Sequence, residues 1–90
     1  MANLVTARAA EQVVLADRKD LERQFRIAER HYAHALATAD QARDQWRALL
    51  THPESAHAQV SAARARFEAV AARCDRLRVI IDTLEERLDY

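Results

Sequence analysis

Leu49-Leu50-Thr51-His52-Pro53-Glu54-Ser55-Ala56 is the stretch where a helix cannot simply continue, because it carries the only proline of a 90-residue chain that has no glycine. Proline lacks the amide donor and is tolerated in a helix only within the first turn. Thr51 and Glu54 stand at the spacing of a capping box, and His52, preceding proline, is pushed away from helical dihedrals. Either Thr51 or His52 is therefore expected to cap a helix starting near Glu54, and the chain is expected to reverse at 51–53.

Both sides of this break read as helix. Upstream, apolar residues fall at Leu21, Phe25, Ala28, Tyr32, Ala35, Ala39, Ala42, Trp46 and Leu49, with steps alternating four and three. Downstream, Ala56, Val60, Ala63, Phe67, Val70, Cys74, Leu77, Ile81, Leu84 and Leu88 repeat the same alternation. Each series is a heptad seam, the stripe by which one helix lies along another. A connection this short makes the two helices antiparallel neighbours, so the expected fold is all-α, a coiled-coil-like helical hairpin. Its expected parts are a long helix over 17–50, the turn at 51–53 and a second helix over 54–88. Alternation of large residues with alanine suggests that large faces small across the seam, for example Trp46 near Ala63 and Ala42 near Phe67. A slip of one heptad remains compatible with the pattern.

A first helix reaching back toward Asn3 is longer than the second, so residues 1–16 overhang. They contain Leu4, Val5, Val13, Val14 and Leu15, while Glu11 and Arg18 interrupt the seam. Three readings stay open for this segment: a frayed apolar terminus or a continuation of the long helix, a site for a partner, and a short third helix that folds back with Asp17 as the cap of the next.

Composition excludes much else. Fourteen basic and fourteen acidic residues cancel, which gives no overall field to attract nucleic acid or an anionic membrane. No apolar run approaches the roughly 20 residues of a membrane span, and the N-terminus has no signal-peptide pattern. A single cysteine, Cys74, excludes an intramolecular disulfide and leaves no mark of an oxidising compartment. A cytoplasmic location is expected. Without glycine no phosphate-cradling loop can form, and Ser55 and Ser61 lack the context of an activated nucleophile. His31 and His34 lie three apart on one helical face, a spacing open to a metal, but no further ligand accompanies them at a diagnostic distance. Beside the seam, His31 reads more simply as a partly buried neighbour of Tyr32, and Cys74, on the seam, as a small hydrophobe. Neither an enzyme nor a bound cofactor or metal is expected.

What remains is binding. A two-helix seam rich in alanine buries little apolar area against the entropy of ordering about 70 residues, at about 1.5 kcal/mol each, and such chains recruit further helices. Apolar residues off the seam offer themselves: Leu15, Leu36 and Leu50 on one side of the first helix, Val79 and Ile80 outside the second. Together with Leu4, Val5 and Val13 these are the expected partner-binding residues. Arg64, Arg66, Arg73, Arg76 and Arg78 make the second helix locally basic. Their simplest role is to cover the seam with their stems and pair with Glu22, Glu29 or an acidic partner; nucleic acid is the less favoured reading.

From Leu21 to Leu84 the layout resembles the small helical-hairpin co-chaperones of bacterial type III secretion, the E component of the needle-subunit chaperone pair. The resemblance rests on the long alanine- and leucine-rich first helix, the break at Pro53-Glu54, the segment Phe67-Glu68-Ala69-Val70 and the aliphatic end Leu77, Val79, Ile80 and Ile81. It implies a cytoplasmic protein that buries a helix face on a tetratricopeptide-type chaperone and helps hold an aggregation-prone needle subunit before export. The alternative expectation is a homodimer, a self-associating coiled coil that forms a four-helix bundle.

Overall fold

In the computed structural model, residues 2–89 are described, with side chains from Asp17 onward. The chain is an antiparallel helical hairpin: α1 spans Ala2–Thr51 and α2 spans His57–Leu88. It is a rod of 80 × 16 × 15 Å, with a radius of gyration of 21.7 Å against the roughly 12 Å of a compact domain of this length. Helix α1 is unbroken, so residues 3–16 continue the long helix and no chain reversal sets them apart as a third.

The turn differs from the one expected. Thr51 ends α1, its hydroxyl donating back to the carbonyls of Arg47 and Ala48 at 3.2 and 3.1 Å. His52 organises the reversal: its carbonyl accepts the Ser55 amide at 3.2 Å and its Nδ1 accepts the Glu54 amide at 3.3 Å. Proline at the second position of such a turn has its fixed φ already suited to it, so Pro53 belongs to the turn and not to α2. Helix α2 begins three residues later than Glu54. Its N-cap is Ala56, extended at φ −70° and ψ 144°, and Gln59 Oε1 reaches back to accept the Ala56 amide at 3.2 Å. This is half a capping box. The cap itself has no side-chain oxygen with which to hold the amides of the first turn.

Every described seam residue of α1 is buried or half-buried, and so is every one of α2 except Ala56, which lies outside the helix at its cap. The fully buried set is Ala28, Ala35, Ala42, Cys74, Ile81 and Leu84. The three alanines stand one heptad apart and let α2 approach α1 closely. Around Ala28, Ile81 and Leu84 pack Leu21, Phe25 and Tyr32, which brings the end of α2 beside the Leu21 turn of α1. Toward the turn, Trp46 stacks on Phe67 with ring centroids 5.7 Å apart and planes at 25°. Large therefore meets large at that layer, where the alternation suggested Trp46 beside Ala63 and Phe67 beside Ala42. An offset aromatic pair adds a favourable interaction of its own and fills a layer that one ring and an alanine leave thin.

Because α2 ends level with Leu21, the residues of α1 before it run past their neighbour, a single helix of roughly 27 Å at 1.5 Å per residue. The side chains of Leu4, Val5, Val13 and Leu15 lie outside the described residues. The molecule exposes 7241 Å², roughly a third more than the ~5,400 Å² of a compact monomer of the same mass.

Candidate interaction surface

The seam defines two flanks. With Phe25, Tyr32, Ala39 and Trp46 at heptad position a and Ala28, Ala35, Ala42 and Leu49 at d, positions e and g border the seam on opposite sides. In α2, Val60, Phe67, Cys74 and Ile81 occupy a. An antiparallel pair sets e against e and g against g, and the contacts agree. Gln45 and Arg66, both at g, meet at 3.2 Å. Arg64 and Arg78, both at e, lie over the rings of Trp46 and Tyr32, each 6.0 Å from the centroid.

The two flanks carry different charge. The e row of α1 reads Glu22, Glu29, Leu36, Arg43, Leu50 and that of α2 reads His57, Arg64, Ala71, Arg78, Glu85. Behind them, position b supplies Glu68, Asp75 and Asp82. The g rows read Gln24, His31, Thr38, Gln45 and Gln59, Arg66, Arg73, Ile80, Arg87, and the adjoining c rows add Ile27, His34, Gln41, Ala48 and Ala62, Ala69, Arg76, Thr83. No carboxylate stands on this second flank between Leu21 and Leu88, while four arginines do. The segregation follows from heptad arithmetic alone, but it becomes a surface only when the hairpin puts g beside g.

The ion pairs among the described residues all run within one helix. They join Arg18 to Glu22, Arg23 to Asp20, Arg43 to Asp40 and Asp44, Arg64 to Glu68 and Arg78 to Asp82. The expected reach of the α2 arginines to Glu22 or Glu29 is replaced by these local pairs. Arg64 stands level with Trp46, far from either glutamate, and has Glu68 one turn away at 2.9 Å. Exposed pairs of this kind add little stability. Glu29, Glu85, Arg73 and Arg76 make no ion pair among the described residues.

The residues proposed from sequence for a partner do not form one patch. Leu36 lies on the e flank and Ile80 on the g flank, while Val79, the most exposed large aliphatic among the described residues at 65%, points to the back of α2. Leu50 joins Leu36 on the e flank two heptads away. Ile27, exposed on the g flank at nearly the level of Ile80, escaped the sequence reading. Its signal was available: an isoleucine at c, beside the row to which Ile80 belongs once α2 folds back. His31 and His34 are both exposed, so His31 is not the partly buried neighbour of Tyr32 that its position suggested. Cys74 is buried in the seam and unpaired.

Among the described residues, no group of three or more histidine, cysteine or carboxylate side chains stands close enough to hold a metal ion. No described helix is long and apolar enough to cross a membrane. No protein-family description, curated protein or solved structure matches the chain.

Proposed function

We propose that this protein is a helical adaptor that completes its core on helices of another protein, and that its most specific form is a co-chaperone of the type III secretion kind, pairing with a tetratricopeptide-type chaperone in the cytoplasm. One observation carries this reading: the seam is unsealed. Its large α1 residues, Leu21, Phe25, Tyr32, Trp46 and Leu49, all stay partly exposed, and the only large aliphatic side chains fully buried among the described residues are Ile81 and Leu84. Helices from a partner that cover these edges recover apolar burial at ~25 cal/mol per Å², the gain that a two-helix core forgoes.

The carboxylate-free flank fits such a partner. Ile27 and Ile80 supply apolar ground at one level, and Arg66, Arg73 and Arg76 border it, which matches an amphipathic helix with an apolar stripe edged by carboxylates. Coexpression with tetratricopeptide-type needle-subunit chaperones tests the reading. A stoichiometric complex that survives purification and is lost in the Ile27→Asp and Ile80→Asp variants is expected. A chain that binds none of these chaperones and melts cooperatively as a monomer at high temperature overturns it. Binding instead to short duplex DNA or RNA, weakening steeply with salt, replaces the protein partner with a nucleic acid.

A further inference from the structure

Where the two g rows meet, the charge of the surface depends on pH. Gln45 meets Arg66 across the seam at 3.2 Å, and one heptad back along α1 corresponds to one heptad forward along α2. Thr38 therefore stands opposite Arg73 and His31 opposite Ile80, while in the adjoining c rows His34 falls level with Arg76. Tyr32, beneath Arg78, gives the same alignment on the other flank. His31, His34, Arg73 and Arg76 are all exposed around Ile80, and Ile27 lies one turn further toward the distal end.

The two edges of this groove differ. Arginine keeps its proton throughout the physiological range, so the α2 edge is permanently cationic. From Gln24 to Gln45 the g and c rows of α1 hold no permanent charge, and they become cationic only at the two histidines. Histidine is the side chain whose charge changes between about pH 5 and pH 8. The charged groups around these imidazoles have one sign: Arg73 and Arg76 from α2, and Arg30 one turn before His34 on α1. None of the three arginines makes an ion pair among the described residues. Tyr32 and Cys74 belong to the seam. Glu29 and Asp75, near in sequence, stand at e and b, toward the other flank. The carboxylates at the backs of the helices, Asp44 and Glu86, are more than two helical turns away.

We infer that His31, His34, Arg73 and Arg76 form the pH-gated part of the partner site: they take the carboxylates of an acidic amphipathic helix whose apolar stripe covers Ile27 and Ile80, and hold it more tightly as pH falls. This rests on the adaptor reading and specifies what the partner carries. Carboxylates along the α2 edge are matched at any pH, those along the α1 edge only when the histidines are protonated. A carboxylate beside an imidazole favours its protonated form, so docking takes up protons and affinity rises as pH falls through the histidine range. A second copy of this chain does not fit here, because arginines would face arginines. The exposed isoleucines amid the charges call for an apolar stripe, which a phosphate backbone lacks.

A synthetic helical peptide with a leucine stripe edged on both sides by glutamate, labelled and titrated with the full chain from about pH 8 to pH 5.5, tests this. Glutamate stays largely ionised over that range. The dissociation constant should fall about fivefold or more between about pH 8 and pH 6. The H31Q/H34Q variant should keep the affinity at high pH and lose most of that gain. R73Q/R76Q should weaken binding at every pH, and I27D/I80D should abolish it. All six positions are exposed, and circular dichroism at each pH checks that helicity is kept. No binding at any pH, a flat or reversed profile, a profile that survives H31Q/H34Q, or tighter binding of short duplex RNA than of the peptide overturns the inference. The chaperone coexpression fails separately. A stoichiometric chaperone complex together with a flat peptide profile leaves the adaptor reading and removes the gate, whereas the expected profile with no chaperone bound leaves the acidic-helix site and removes the chaperone.

Discussion

The two ends of the hairpin seam are built on different principles. At the distal end, Ile81 and Leu84 are buried against Ala28, with Leu21, Phe25 and Tyr32 closing around them. Near the turn, the seam depends on two aromatic rings stacked on one another, with an arginine laid over one of them, and both rings stay partly exposed. Aliphatic side chains set against alanine can be enclosed by two helices alone. Two rings at one layer are wider than the groove and leave their edges to whatever lies alongside. The distal end therefore encloses the large aliphatic side chains, while the turn end depends on the stacked rings, and the edges of large apolar residues stay partly exposed at both.

That difference can be broken at its strong end first. Ile81→Ala removes the most enclosed large side chain and should cost about 2–4 kcal/mol of unfolding free energy, read by urea titration followed by circular dichroism. If the distal end were not the main anchor, the loss would stay under about 1 kcal/mol. Phe67→Ala at the turn end should cost less, roughly 1–3 kcal/mol, since part of its surface already faces water. The gap between the two variants measures the asymmetry of the seam. All titrations need one fixed chain concentration, because a self-associating protein gains apparent stability as concentration rises.

The smallest change works in the opposite direction. Ala56 caps α2 without a side-chain acceptor, so Ala56→Ser should stabilise the chain by about 1 kcal/mol through a bond to an amide of the first turn. The position is exposed and precedes the packed part of the seam, and the gain should appear as a higher midpoint with an unchanged slope. No gain would mean that the Gln59 side chain already satisfies what the cap needs.

Much of this architecture was legible in the chain. The alternation of four and three from Leu21 to Leu88 determined two amphipathic helices, and the short connection determined that they lie antiparallel. Each of those inferences follows from local geometry, the 3.6-residue turn and the small reach of a few linking residues. Off-seam exposure was legible for the same reason: Leu36, Leu50, Val79 and Ile80 are all exposed as their positions require. The start of α2 was not. Thr51 and Glu54 have the spacing of a capping box, but spacing does not say whether Pro53 opens a helix or shapes a turn, and His52 used both its carbonyl and its ring nitrogen to make it a turn.

Only the tertiary structure decided which residues share a surface. Sequence put Leu36 and Ile80 in one set of partner residues because both are apolar and off the seam. The fold separates them onto opposite flanks and places Ile27 on the same flank as Ile80. It also decided that Trp46 meets Phe67, a choice among registers one heptad apart that the repeat makes equivalent. The physical reason is periodicity: a seven-residue repeat specifies which face of each helix is apolar, and by its own regularity leaves the alignment of one helix along the other to the packing of particular side chains.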